Sequence, residues 1–452
     1  MGLLHWKLAV SAHTSARVAR LAGWLGLLLL ASCASLPTDF ERPPEQMALP
    51  AAESGVLAAI AEAISDSHGP THSGFRLLDK NADAFSWRLA LVDSAVSSLD
   101  LMYYLWYGHD SGRLLLRRVI EAADRGVMVR LLVDDLLLIG DDEALVALDR
   151  HPNIELRLFN PKRQRKFGMV TDFLLRFGEM NSRMHNKLLV ADNHAAILGG
   201  RNIGDYYFGL NHSYNFHDLD VLGFGPVARQ SSDMFDNFWN STWVVPAAEL
   251  PASISAEESQ KRYERMLGSL EASDRLEIFP VEPIDWSDQL YDLLPQLHFG
   301  SSEIVYDRLD DGELVRGMAD PLGAILRAAE HDIRLINAYI IPEQDFVDAI
   351  RTFVERGVEV RILTNSLSSH DVPAVNSHYR KWRKPLVEAG AELCELRADP
   401  AIKPRVDTAP VQSKFTGLHT KAFVVDGRQV FIGSMNFDPR SVDINTEMGI
   451  II

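Results

Sequence analysis

The chain carries the pattern His-x-Lys-x4-Asp twice, as HNKLLVAD from His185 to Asp192 and as HTKAFVVD from His419 to Asp426. Each copy continues in the same way, with Gly199 and Gly433 seven residues past the Asp and Asn202 and Asn436 three residues past the Gly. Side chains alternate between the two faces of a strand, so a His and a Lys two apart share a face. A single His-x-Lys is ordinarily a core histidine beside a surface lysine. Two matched copies change that weighing, because two imidazoles, two ammonium groups and two carboxamides meeting in one pocket suit a phosphodiester. One imidazole attacks phosphorus, the other protonates the leaving oxygen, and Lys187, Lys421, Asn202 and Asn436 hold the phosphate oxygens as charge develops. This chemistry brings its own cations and needs neither metal nor cofactor. The surroundings of the pairs have no HExxH and no paired cysteines, so zinc is the weaker alternative.

The Asp of each motif falls in the turn after a strand, where fixing the turn is the favoured role for Asp192 and Asp426 and proton transfer the alternative. Each histidine also needs an acid to set its tautomer. Glu447, in NTEMGIII 28 residues after the second motif histidine, and Asp218, in FHDLDVLG 33 residues after the first, are the expected partners of those histidines; both open apolar strand-like runs, a costly place for an unpaired carboxylate. Asp220 is the fallback for Asp218. At the small positions after the second strand, Gly200 in the first copy faces Ser434 in the second, so a hydroxyl contact to substrate is expected from one side only.

These residues need two matching frameworks. In the first half SSLDLMYYLWY reads as an apolar strand, followed by an amphipathic helix, a turn at Gly126 and a second strand. The second half repeats this order from HDIRLINAYII to a turn at Gly357. The turns are 231 residues apart and the motif histidines 234, which marks an internal duplication. The expected fold class is therefore α/β, with largely parallel or mixed sheets covered by helices. The expected divisions are a signal peptide over 1–32, a tether over 33–54, halves over 55–245 and 301–452, and between them a polar helical insert over 246–300.

With 47% apolar and 24% charged residues in 452, the composition is that of a globular protein with substantial cores. The formal net charge is −17, and removing residues 1–32 with Lys7, Arg17 and Arg20 leaves −20, which disfavours loose attraction to nucleic acid or anionic lipid through bulk charge. Those three cations precede the apolar run LAGWLGLLLL, too short to span about 30 Å of hydrocarbon as a helix. The tetrapeptide LASC ending at Cys33 resembles a bacterial lipobox. That resemblance implies a lipid-bearing Cys33, a periplasm-facing lipoprotein and, with Ala34 next, the outer membrane. Only Cys394 then remains, which leaves no internal disulfide. Residues 162–177 set Lys162, Arg163, Arg165 and Lys166 beside Phe167, Phe173 and Phe177, a composition suited to docking at a membrane surface.

The two motifs resemble those of the phospholipase D superfamily. This resemblance implies a duplicated α/β/α sandwich with pseudo-twofold halves sharing one active site, and a phosphohistidine on His185 with His419 as general acid and then base. More narrowly, GGRNIGDYYF, FDNFWNS, LTNSLSSHDVPAVNSHYRKWRKPL and GSMNFDPRSVDINTEMG resemble the bacterial cardiolipin synthases, nearest to their C-type branch. That implies transfer of a phosphatidyl group to phosphatidylglycerol, with phosphatidylethanolamine as donor. A phospholipase D that hydrolyses lipids to phosphatidic acid is the principal alternative, and a nuclease a weaker one, since the charge and the lack of an extended basic groove argue against nucleic acid.

Overall fold

The structure, a computed structural model, describes residues 40–138, 142–162, 181–252, 254–267 and 273–452. The expected signal segment, Cys33 and the basic run from Arg163 onward lie outside the described residues. Two large mixed sheets form the body. The first has nine strands in the spatial order His298–Gly300, Ser73–Leu78, Asp220–Phe224, Ala195–Gly199, Lys187–Ala191, Ser98–Tyr103, Met128–Asp134, Ile154–Phe159 and Val244–Pro246. The second has seven, in the order Glu303–Tyr306, Met448–Ile451, Gln429–Gly433, Lys421–Val425, Asp332–Asn337, Glu359–Asn365 and Glu392–Leu396.

The seven strands of the second sheet match the inner seven of the first in order. In each half three parallel strands stand beside antiparallel ones, with the motif strand at the junction. The parallel strands are joined by helices, Asp110–Asp124 in the first half and Gln344–Glu355 in the second. Both helices end at the predicted turns, where Gly126 and Gly357 have φ of 99° and 87°. Only glycine occupies that region without a steric penalty. Pairing Gly199 with Asp220, and Gly433 with Gly449, fixes the internal correspondence. Asp218 and Glu447 each stand two residues before those partners and so occupy equivalent positions.

The sheets pack face to face. One buried cluster contains Leu188, Val190, Leu198 and Val221 of the first half together with Ala422, Ile432, Met448 and Ile450 of the second. A short parallel pair, Tyr214–His217 with Phe415–Leu418, ties the halves beside the motif histidines. The halves are thus held together by a shared apolar core and a hydrogen-bonded ladder.

Two segments differ from their sequence reading. Residues 40–52, expected to belong to a free tether, form no helix or strand before the last turn leading into Val56–His68, yet they dock on the first half. The Gln46 N–H donates to Asn240 Oδ1 at 3.0 Å, its Nε2 to Glu155 at 2.9 Å, and its Oε1 accepts from Trp239 Nε1 at 2.8 Å. Proline richness without periodicity predicts the absence of regular structure, but it carries no information about such side-chain anchors. The stretch 246–300 is helical over Ala256–Leu267, which is strongly polar, and again over Ser287–Leu293. Its later part buries Leu276, Phe279, Trp286, Leu290, Leu293 and Leu297 in the first core, and His298–Gly300 adds an edge strand to the first sheet. Among the described residues no helix is long and apolar enough to cross a membrane.

Candidate active site

The motif strands deliver both histidines to the junction of the halves, where each is held by the opposite half. The His185 N–H donates to the Thr446 carbonyl at 3.0 Å, and its Nδ1 lies 2.9 Å from Glu447 Oε2. The His419 N–H donates to the His217 carbonyl at 2.8 Å, and its Nδ1 lies 2.6 Å from Asp218 Oδ2. Each imidazole is therefore clamped at backbone and ring by two consecutive residues of the other repeat. Both acids are wholly buried. A carboxylate there is tolerable only with such partners. Each Nδ1 is engaged by its acid, which leaves Nε2 of both rings for chemistry.

Nearness in sequence associates Glu447 with the second histidine and Asp218 with the first; the structure exchanges them. The fallback, Asp220, is occupied elsewhere, paired with Arg88 at 2.8 Å and Arg201 at 3.1 Å. Ser434 also differs from expectation, because its hydroxyl donates to Glu447 Oε2 and does not present itself to a substrate. At the equivalent Gly200, an added Cβ would stand 2.3 Å from Asp218 Oδ1. The first copy is glycine because the acid itself fills the space. Gly200→Ala is expected to push Asp218 off His419 and lower turnover by roughly 10- to 100-fold, for loss of a group that orients a histidine. A steady-state assay on the folded variant checks this.

Asp192 and Asp426 lie at the far ends of the motif strands, roughly 20 Å from the histidines at about 3.3 Å per residue. Both have φ of 53°. Asp192 accepts the N–H groups of Val96, Ser97 and Ser98 at 2.9, 2.7 and 3.0 Å, and Asp426 those of Glu330, His331 and Asp332 at 2.9, 2.7 and 2.9 Å. These amide donors hold the Asp426 carboxyl down at about 2. Both aspartates pin the motif turn to the start of the neighbouring strand, and neither faces the cavity. Asp192→Ala leaves three amides without their acceptor and is expected to lower unfolding free energy by roughly 2–4 kcal/mol. Turnover per folded molecule should be kept, as denaturant titration beside activity would show.

Lys187 and Lys421 are buried behind the histidines, each donating to the carbonyl of the His two residues earlier. Their Nζ atoms lie 5.2 and 5.7 Å from the ring centres of Tyr104 and Tyr339. Burial pushes Lys187 down to about 7 and Lys421 to about 8. Burial, then the two lysines, pushes His185 well below its ordinary value. His419 is lowered by burial and by Lys421, but Asp218 works against the fall. Burial raises Glu447 to about 7 despite Lys187. Burial would also raise Asp218, yet the adjoining His419 leads the charges that hold it well below the carboxylate range.

The cavity at the junction has a volume of about 810 Å³ and is walled by His185, His419, Asn202 and Asn436 together with tyrosines. Asn202 is committed, accepting from the Leu105 N–H at 3.2 Å and donating to Tyr207 Oη at 2.9 Å. The Asn436 Oδ1 is buried without a hydrogen-bond partner among the described residues, and the side chain lines the cavity. Sequence reasoning missed Tyr104, Tyr107, Tyr206, Tyr207, Tyr214 and Tyr339, and with them Asp371, Arg440 and the apolar wall of Leu105, Ile341, Val372 and Val375. The tyrosine-rich runs MYYLWY and GDYYF were the available signal. Among the described residues, no three His, Cys, Asp or Glu side chains gather in a way that could hold a metal.

A duplicated α/β sandwich that places one His-x-Lys from each half at a common cavity has the architecture of phospholipase D-like enzymes. The family model for "Cardiolipin synthase, PLD-like domain" matches residues 89–239 and 322–452. Cardiolipin synthase C of Escherichia coli (strain K12) is 37% identical over 408 residues, covering 85% of this chain and 82% of that protein. An uncharacterised protein of Helicobacter pylori (strain ATCC 700392 / 26695) is 32% identical over 392 residues, covering 84% and 76%. The chain belongs to the cardiolipin synthase family. The crystal structure of phosphatidylserine synthase from Haemophilus influenzae Rd KW20 covers 87% of this chain and 86% of its own with a TM-score of 0.57 and 12% identity, a likeness of fold.

Proposed function

We propose that the protein is a phosphatidyltransferase that moves a phosphatidyl group from a phospholipid donor, phosphatidylethanolamine, onto a phosphatidylglycerol-type acceptor. The observation that carries this reading is the pair of crosswise-held imidazoles at one aromatic and apolar cavity. In the first step a bond forms between His185 Nε2 and phosphorus while the bond from phosphorus to the headgroup oxygen breaks. That oxygen takes the proton from His419 Nε2. In the second step the acceptor hydroxyl gives its proton to His419, its oxygen bonds phosphorus, and His185 is released. Lys187, Lys421 and Asn436 offset charge on the phosphoryl oxygens in both steps. The opposed environments support the assignment, since a strongly depressed imidazole is the neutral nucleophile and one facing an ionised carboxylate keeps its proton longer.

Transfer requires that an alcohol reach phosphohistidine before water, and the tyrosine and aliphatic walls favour this by limiting water near the reacting atoms. The test supplies vesicles of phosphatidylglycerol, with and without phosphatidylethanolamine, and identifies products by mass spectrometry. Cardiolipin is the expected product. Phosphatidic acid alone would convert the reading to a hydrolytic phospholipase D. Attachment of diacylglycerol at Cys33, with a periplasm-facing and outer-membrane location, belongs to the same proposal and rests on the LASC sequence. An unmodified Cys33 in intact-mass analysis of protein from a lipoprotein-processing host would overturn it.

Catalysis should weaken as pH rises through about 7 to 8, where Lys187 and Lys421 lose the protons that attract the diester. The expected outcome is an alkaline limb in kcat/KM over that window, measured on vesicles of constant composition. A flat profile from pH 6 to about 9 would remove the lysine charges from the mechanism.

A further inference from the structure

We propose that Asp371, together with the Tyr339 ring, is a subsite for an ammonium group carried by the alcohol that leaves or enters beside His419. The inference rests on the phosphatidyl-transfer reading and adds a chemical class to it. The loop from Ser366 to Val372 follows the strand Glu359–Asn365 and reaches the cavity. It is held firmly, with Ser369 Oγ donating to Leu396 O at 3.0 Å and Tyr214 Oη donating to Ser369 O at 2.8 Å.

Asp371 takes the Tyr339 hydroxyl between its two oxygens, at 2.8 and 2.7 Å. Among the described residues it makes no ion pair with a lysine or arginine. His370 does not neutralise it, although Nδ1 lies 3.7 Å from Asp371 Oδ1. That Nδ1 accepts the Val372 N–H at 3.1 Å and so presents a lone pair, and burial lowers the imidazole further from protonation. Lys421 responds to the Asp371 charge, but its Nζ lies 5.7 Å from the Tyr339 ring centre and donates to the His419 carbonyl. The Asp371 side chain is 26% exposed, so it stands at the cavity mouth with its charge open to a ligand.

Position gives that charge a purpose. The Tyr339 ring lies edge-on to His419 with centroids 6.4 Å apart and carries Asp371 on its hydroxyl. An alcohol oxygen at His419 Nε2 with an ammonium group two carbons away would place the cation near this ring and carboxylate. Tyr107, Tyr207 and Tyr214 line the same cavity as Asp371. Carboxylate and aromatic faces together are the general recognition chemistry for an ammonium ion. A neutral glycerol headgroup gains none of this attraction. Beside His185 the Tyr104 ring packs edge-on with centroids 4.9 Å apart, and the cavity lining there includes Arg440 and Asp438.

The test compares the native protein with Asp371→Asn on phosphatidylglycerol vesicles containing either phosphatidylethanolamine or its N-acetyl derivative, whose headgroup is uncharged. The native protein is expected to use the amine donor about tenfold faster than the amide, and Asp371→Asn to reduce that ratio to about twofold or less. Tyr339→Phe, which keeps the ring, should fall between. An unchanged ratio in Asp371→Asn would overturn the subsite. Should the amine enter as an acceptor, free ethanolamine with phosphatidylglycerol vesicles would yield phosphatidylethanolamine in the native protein and about tenfold less in the variant. A binding arm separates this inference from the transfer reading. Calorimetry of glycerophosphoethanolamine and glycerophosphoglycerol with His185→Ala, with and without Asp371→Asn, should show about tenfold weakening for the amine alone. If that binding difference held while the native protein made no phosphatidyl product from vesicles, the transferase reading would fall and the subsite would stand; equal weakening of both ligands, or of neither, would sink the subsite.

Discussion

Replacing His185 with alanine is expected to lower turnover by roughly 10⁴-fold or more, because removing a nucleophile removes the covalent route itself. The same loss of rate in His419→Ala has a different origin, and a donor with a 4-nitrophenol leaving group separates the two. Such a group departs without a proton, so His419→Ala should release about one equivalent of nitrophenol and stall as the phosphohistidine. His185→Ala should release none. The covalent group in the stalled protein should map by peptide mass to His185. A burst from His185→Ala instead, with the group on His419, would exchange the roles of the two halves and would also place the Asp371 loop beside the nucleophile.

The second large effect is expected from Asp218→Asn. The carboxylate lies 2.6 Å from His419 Nδ1 and is wholly buried, and it alone opposes the influences of burial and Lys421 that lower the imidazole. An asparagine of the same shape can present its amide N–H to Nδ1, which would put the proton on the wrong nitrogen. A fall of roughly 10²- to 10⁴-fold follows from the cost of such a tautomer change. The sign of the pH effect is also fixed. Asp218 raises the pKa of His419 and of both lysines, Lys421 foremost, so its removal lowers them together, and the alkaline limb of the residual activity should move to lower pH. An unmoved limb with a lowered rate would reduce Asp218 to packing. Because the acids are exchanged between halves, Asp218→Asn should slow nitrophenol release far less than it slows turnover of a natural headgroup. Glu447→Gln, which acts on the nucleophile, should slow both.

This exchange explains why one active site needs both repeats. Each half supplies a histidine and the acid that orients the histidine of the other half, and the clamping carbonyls of Thr446 and His217 follow the same pattern. A variant that loosens the shared core containing Leu198 and Ile432 would disturb both imidazoles together, although it replaces neither.

The sequence by itself determined what depends on local spacing. The repeat, the strand that puts His and Lys on one face, the turn aspartates and the glycines at 126 and 357 follow from steric rules acting within a few residues. The same rules located Glu447 and Asp218, since a carboxylate opening a buried strand needs a partner. They could not say which partner, because the answer joins residues 262 and 201 positions apart. Tertiary structure alone decided that crossing, the docking of Gln46 onto Trp239, the diversion of the Ser434 hydroxyl to Glu447, and the gathering of tyrosines from both halves into one wall. Those contacts arise when two sheets are pressed together by a shared apolar core, and a face-to-face approach of that kind leaves no period or spacing along the chain from which it can be read.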